Sequence, residues 1–559
     1  MPEALKNLEM AGRYGQHYPG RKRVQKQARM PMPTGGLNFI DNVADIKPNE
    51  SYVMTNVIPR PFGLEVRKGW KYWVPQNDSL AGGARSIMAF DSEIPPQSRL
   101  FASAEATGLV YDISSQNVAP VLSLTPSTPA VNLGEWFGVN YATPGGNYWC
   151  MVANGAGYYV YNGLTGVWTE FIAGSGAGKI EFPAGDTTTT KSFSFCFVWK
   201  NRLWFLKQNS SEAYYLPINS ISGKVEKFDF GPQLKHGGYL SYACNWTYDA
   251  GDGIDDSLVI LGTQGDMLVY QGTDPASAAN FQLKGVWYCG NIPPGRRGFC
   301  QHGGNVLIIT EYGVTNIQDL VSGRIHSSEV NASLGYKINP ILARQITANI
   351  DQKYWLLIPY PAEELLIIGS PHITPELYRT GLLMSSITNA WCTYQNMEIY
   401  SAAVWQGKFI FGTREGWVAQ GFVGFQDNVP SDGASNGEEV TARIQNAFSS
   451  FESGNQNKRA LRVKVYGLVD APPSIRAIVV NEYHLGNIPD TSAEAAEPTP
   501  AWDQATWDQA VWKSGLSTYH QWVGVSCIGK KLSLQLAVRG AGEVILTDFE
   551  LLYEEGIGL

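Results

Sequence analysis

Two neighbouring arginines, Arg296 and Arg297, end the stretch "NIPPGRRG". A guanidinium pair on a tight turn can grip a phosphate or a carboxylate through forked hydrogen bonds. It can equally make ion pairs between strands or between subunits, and that is the expectation here. Upstream, "YDAGDGIDDS" gathers Asp249, Asp252, Asp255 and Asp256 around Gly251 and Gly253. Oxygen-rich loops kinked by glycine can hold calcium, but the glutamate that closes an EF-hand loop at its twelfth position is missing. The four aspartates therefore stand as weak calcium candidates, and an acidic turn before the strand at Leu258 is the preferred reading. The run "GSGAGK", Gly174 to Lys179, reads as a glycine-rich turn. It lacks the spacing of a phosphate-binding loop, and Ile180 stands where that loop needs Ser or Thr.

Other chemistry has less support. The histidines at 17, 236, 302, 326, 372, 484 and 520 form no HxH or HxxxH pair. No GxSxG nucleophile turn is present. The seven cysteines (150, 196, 244, 289, 300, 392 and 527) form no CxxC pair and read as reduced, buried thiols. Carboxylate pairs for sugar cleavage are a matter of geometry, which spacing does not give. Trp502, Trp507 and Trp512 stand five apart in "AWDQATWDQAVW", so they do not share a helical face. They could stack on sugars, and more often such residues anchor a loop. No catalytic group and no cofactor is expected.

The elements that must position these residues are strands. With 59 glycines, 31 prolines and only 16% charged residues, the chain suits short strands and many turns. Runs of β-branched or aromatic residues, mostly around a Gly-containing turn, begin at Leu100, Trp149, Phe195, Leu258, Val306, Tyr354 and Ala403; most neighbouring starts lie about 50 residues apart. That period predicts a β-propeller of about six blades with insertions over residues 36–430. Short helices are expected near "NASLGYKINPILARQITAN" and "ITPELYRTGLLMSSI". After a linker-like "SDGASNG", segments such as "RALRVKVYGLV" and "KLSLQLAVRG" alternate at period two. They predict a C-terminal β-sandwich over 431–559, so the fold class is mainly all-β.

Residues 1–35 read as a basic arm broken by Pro and Gly, with Arg21, Lys22, Arg23, Lys26 and Arg29 as candidate assembly contacts. Of the 42 basic and 50 acidic residues, seven and two lie in this arm, which leaves the body a net charge of −13. An acidic body argues against a protein that grips nucleic acid over its whole surface. No secretory signal or membrane span is read, so synthesis in a cytoplasm is expected.

Three blocks carry a family resemblance. The run "YDAGDGIDDSLVILGTQGDMLVYQGTDPASAANFQLKGVWYCGNIPPGRRGFCQHGGNVLIITEYGV" resembles a block in tail nozzle proteins of short-tailed bacteriophages, also called tail tubular protein B-like or packaged-DNA stabilisation proteins. "GLNFIDNVADIKPNESYVMTNVIPRPFGLEVRKGW" is similar to the opening of such proteins, and "AVRGAGEVILTDFELLYEEGIGL" to their ends. The blocks cover about a quarter of the chain. The resemblance implies a structural virion protein, made in the host cytoplasm and built into the tail. It implies a homohexameric ring below the portal and adaptor, beside tail fibres or spikes, through which genomic double-stranded DNA passes. The alternative is a propeller-based tail protein that degrades or binds host glycans.

Overall fold

A computed structural model describes residues 25–76, 78–128, 134–249, 254–323, 334–371, 381–433, 437–451, 456–484 and 515–556. The chain is all-β, as its composition predicts. Four antiparallel sheets of four strands follow one another along the chain, within residues 84–124, 137–171, 193–229 and 240–288, and a three-stranded sheet follows within 299–316. The first strand of the third sheet is covered on both faces. In Phe193–Trp199, "FSFCFVW", every residue but Val198 is buried. A strand covered on both sides reads as a continuous apolar run rather than an alternating one.

One further small sheet is completed from far away. Ser401–Trp405, Lys408–Gly412 and Val418–Gly421 take Trp70–Tyr72 as their fourth strand. Trp70 pairs with Gly421 and Tyr72 with Ala419. Trp70 and Tyr72 are both buried, and the Trp70 indole N–H donates to the Asn396 carbonyl at 2.7 Å.

Two large sheets share one hydrophobic core. The eight-stranded sheet runs Leu356–Tyr360, Leu365–Gly369, Gly381–Ser385, Trp391–Tyr394, Ser51–Thr55, Thr441–Asn446, Leu532–Arg539, Ser474–Asn481. The six-stranded sheet joins Gln25–Met30, Val57–Arg60, Gly63–Val66, Val544–Glu555, Lys458–Val469 and Ser517–Gly529. Lys458–Val469 alternates buried and half-buried residues almost strictly, which is the period-two pattern read from the sequence.

Strand pairing crosses both expected boundaries. Strands from 51–66 hydrogen-bond to strands beyond 431, and the hairpin that begins near Tyr354 belongs to the large sheet rather than standing alone. Residues 25–30, expected within an arm, form an edge strand in register with Val544–Glu555. Four of its six residues, "QKQARM", are exposed, so it carries little apolar signal. Backbone pairing and ion pairs hold it instead, with Lys26 to Glu555 at 2.5 Å and Arg29 to Asp548 at 2.8 Å.

The expected helix near 340 is present as Asn339–Ala348, with Pro340 in the first turn and Leu342 and Ile346 buried one turn apart. Of the second expected helix, Gly381–Ser385 is a strand and residues 372–380 lie outside the described set. Among the described residues, no helix is long and apolar enough to cross a membrane.

Candidate functional site: an arginine hub at a central cavity

The "PPGRRG" turn carries its two arginines to a place where several sheets converge. Arg296 takes a left-handed backbone, φ +53°. Its Nε donates to the Ser241 carbonyl at 2.7 Å, Nη1 to the Ser194 carbonyl at 3.3 Å and Nη2 to Gln208 Oε1 at 2.9 Å. It thereby ties the sheet of 193–229 to that of 240–288. Arg297 reaches the other way. Its Nη1 donates to the Arg85 carbonyl at 2.8 Å, and its Nη2 to Ser86 Oγ at 2.5 Å and the Trp136 carbonyl at 3.3 Å. Its own carbonyl accepts from Leu357 N–H at 3.1 Å. Two adjacent side chains and one carbonyl thus clamp five strand systems.

Among the described residues, the hydrogen-bond partners of both arginines are neutral, so the ion pairs expected between strands are not what holds them. Arg85 takes the nearby carboxylate, Glu135 Oε1, at 3.0 Å, and both are buried. The Arg85 guanidinium also lies over the Tyr354 ring, 4.5 Å from its centre. Burial and the charge of Arg85 push Arg297 down to about 10, and burial lowers Arg296 as well. At neutral pH Arg297 keeps its charge. Both arginines line a cavity of about 550 Å³, together with Phe137, Phe195, Phe299 and Ala403. The arrangement can brace the sheets and can present positive charge to that cavity.

The other singled-out residues lie apart from the hub. Arg21, Lys22 and Arg23 lie outside the described residues, whereas Lys26 and Arg29 make the intrachain pairs given above. Asp249 and Asp255 sit in the strands Leu240–Asp249 and Ile254–Gly262, while Asp252 lies outside the described residues. Asp256 pairs with Lys200 Nζ at 2.5 Å and accepts from Thr247 Oγ1 at 3.0 Å. Arg202 to Asp274 of "YQGTDP", at 3.4 Å, joins the same two sheets. No group of three or more His, Cys, Asp or Glu residues that could hold a metal ion occurs among the described residues. Gly174 to Lys179 is a loop in which the Gly174 N–H donates to the Ile180 carbonyl at 2.9 Å. Trp502, Trp507 and Trp512 lie outside the described residues. All seven cysteines are free, and all but Cys527 are buried. Burial pushes Cys150, Cys244, Cys289, Cys300 and Cys392 up to about 12, so these thiols are unreactive at neutral pH.

A second polar cluster escaped the sequence reading. Arg67, in "EVRKGW", is buried with Asp427 and forks onto it, Nη1 to Oδ1 at 2.8 Å and Nη2 to Oδ2 at 2.6 Å. Its Nε donates to Asn56 Oδ1 at 2.8 Å, and the same oxygen accepts from the Gln395 N–H at 2.8 Å. Asn56 Nδ2 donates to the Thr441 carbonyl at 2.9 Å. Arg67 stands just after the strand Gly63–Val66 and its acid lies 360 residues away, so no local pattern links the two.

Glu50, in the same N-terminal block, contacts Lys337 Nζ at 2.8 Å and Asn38 Nδ2 at 2.6 Å. Burial alone would raise its pKa, but these bonds outweigh it and hold Glu50 below the usual carboxylate range. Lys200 holds Asp256 below that range too. A depressed folded-state pKa stabilises above the unfolded value of about 4 and is lost as pH falls through the folded value. Melting temperature is therefore expected to hold from pH 7 to about pH 5 and to fall steeply below about pH 4. Glu50→Gln is expected to be less stable at pH 7 and to lose less on acidification, read by thermal melts across that range.

No family model matches the chain, and no curated protein matches it. Among solved structures it is similar to the extracellular domain of a hybrid two-component system of B. thetaiotaomicron, at 14% identity and a TM-score of 0.37, over 60% of this chain and 40% of that one. It is also similar to BBS1N, at 11% identity and a TM-score of 0.36, over 64% of this chain and 98% of that one. The chain thus spans well under two thirds of the first of these and nearly all of the second. At these scores neither likeness bears on function.

Proposed function

We propose that the chain is a tail nozzle subunit of a short-tailed bacteriophage, a structural virion protein without catalytic activity. Its copies close into a ring of six below the portal and adaptor, retain the packaged genome and conduct it during ejection. One observation carries this reading: the three blocks that resemble nozzle proteins supply the staples between sheets. The N-terminal block gives Asn56 and Arg67, and the "YDAGDG" block gives Asp256, Asp274, Arg296 and Arg297. The third gives Phe549, Leu551 and Tyr553, buried in the core shared by the two large sheets. Residues spent on holding sheets together are what a load-bearing wall needs.

In this reading the small sheets are propeller blades. Supporting it, strands from seven successive sheet units line the cavity, beginning near residues 87, 137, 195, 243, 299, 356 and 402. Ser401–Trp405 also packs against Ala84–Phe90, which returns the series to its start. The blade count is then seven, matching the seven hairpin starts read from the sequence. The unit within 356–394 starts with the hairpin read near Tyr354, and its last strand, Trp391–Tyr394, continues into the large sheet through Ser51–Thr55. The strand Trp70–Tyr72 completes the last blade from the N-terminal side and so resists unzipping.

The acidic body suits the task, because like charge keeps phosphate from sticking to a channel wall. The test is genome retention. Particles of the encoding phage made without this chain are expected to package DNA and then leave it open to nuclease. Infectious, nuclease-resistant particles without the chain would overturn the proposal.

A further inference from the structure

The central cavity holds more positive charge than its surroundings balance. Arg85 is matched by Glu135. Among the described residues, the hydrogen bonds of Arg296 and Arg297 go to carbonyls, a hydroxyl and an amide oxygen. Each guanidinium has five N–H donors, and those six bonds use three on each arginine. Two adjacent, half-buried guanidiniums that no carboxylate meets lose part of their hydration without an opposite charge to replace it. Such a cost is offset when an anion enters.

The cavity is shaped to admit one. Its volume of about 550 Å³ lies within the range of small-molecule sites. Its wall is largely apolar, and Phe137, Phe195, Phe197, Phe299 and Trp136 are among the residues that line it. The polar side chains on the wall are few: the two arginines, Asn245 and Gln301. The Arg297 guanidinium lies 5.3 Å and that of Arg296 6.0 Å from the centre of the Phe137 ring, so both charged ends stand at the aromatic wall. Both arginines are only half-buried, which leaves them surface to offer.

We propose that this cavity binds a small organic oxyanion with an aromatic or other apolar body, its carboxylate or phosphate held by Arg296 and Arg297. The apolar part rests among the phenylalanines, and the oxygens meet the N–H donors that the sheet clamp leaves over. Binding stiffens the hub, because the anion joins two side chains that already reach different sheets. The site is independent of the nozzle assignment, since it needs one copy of the chain alone.

The probes are benzoate and phenyl phosphate, titrated by calorimetry into the full chain at low salt, with chloride matched for ionic strength. One probe is expected to bind with one site per chain and to raise the melting temperature, and chloride is not. The preferred probe distinguishes carboxylate from phosphate. Arg297→Lys keeps the charge and loses the fork, and it is expected to weaken binding about tenfold or more. Ala403→Phe fills the cavity at a wall position and leaves both arginines in place; it is expected to abolish binding while the unliganded protein still melts cooperatively. Absence of binding by both probes in the wild type overturns the proposal. So does binding that a folded Ala403→Phe variant retains unchanged.

Discussion

Arg67→Ala is expected to destabilise the protein by about 3–5 kcal/mol, because it leaves a buried carboxylate without its partner. The carboxylate is Asp427, whose side chain is 2% exposed, and the Arg67 side chain is fully buried. Neither group can turn to water when the other is removed. The change also strips Asn56 Oδ1 of a donor, and Asn56 helps link Ser51–Thr55 to Thr441–Asn446. The effect should therefore spread into the large sheets. Chemical denaturation of the variant reads it, or loss of soluble yield if the variant does not fold. Replacing both partners, Arg67→Met with Asp427→Leu, should recover much of the loss, since an apolar pair carries no stranded charge. If the single variant melts like the wild type, the cluster is not a staple.

Gly295→Ala should be nearly as damaging, for a steric reason. The residue has φ +113°, and a Cβ there would stand 2.0 Å from the Lys353 carbonyl oxygen. Backbone cannot yield as a flexible side-chain tip can. The turn must move, and Arg296 and Arg297 move with it. Strain and overpacking together are expected to cost about 3 kcal/mol or more. Gly304→Ala is the control, in the next hairpin, where nothing lies within 4 Å of the added carbon. It should change stability by less than about 0.5 kcal/mol. Equal melts for the two variants would mean that the hub turn is not a critical joint.

These two positions show what the sequence could and could not convey. Strand content and the hairpin series were legible because apolar runs and turn glycines are local signals. The aspartate-rich "YDAGDGIDDS" reads as a turn before a strand at Leu258, but that strand begins at Ile254, so Asp255 and Asp256 lie within it and Asp249 ends the strand that pairs with it. Local patterns could not show that Gln25–Met30 is a strand, because an exposed edge held by Lys26 and Arg29 looks like a tail. Nor could they show that the chain beyond 431 builds its sheets with residues 25–66, since such partners lie hundreds of residues apart. The arginine pair was noticed for its chemistry, but its use was misjudged. Ion pairing was expected, whereas carbonyls and Ser86 Oγ, Gln208 Oε1 take up the donors. Carbonyls at the ends of converging strands are invisible in a one-dimensional string.

The proposed function requires copies of this chain to close as wall segments around a hole. Electron microscopy of the purified full-length protein at physiological salt tests it most directly. Class averages are expected to show sixfold rings with an open lumen wide enough for a DNA duplex. Solitary particles at every concentration tried would contradict it.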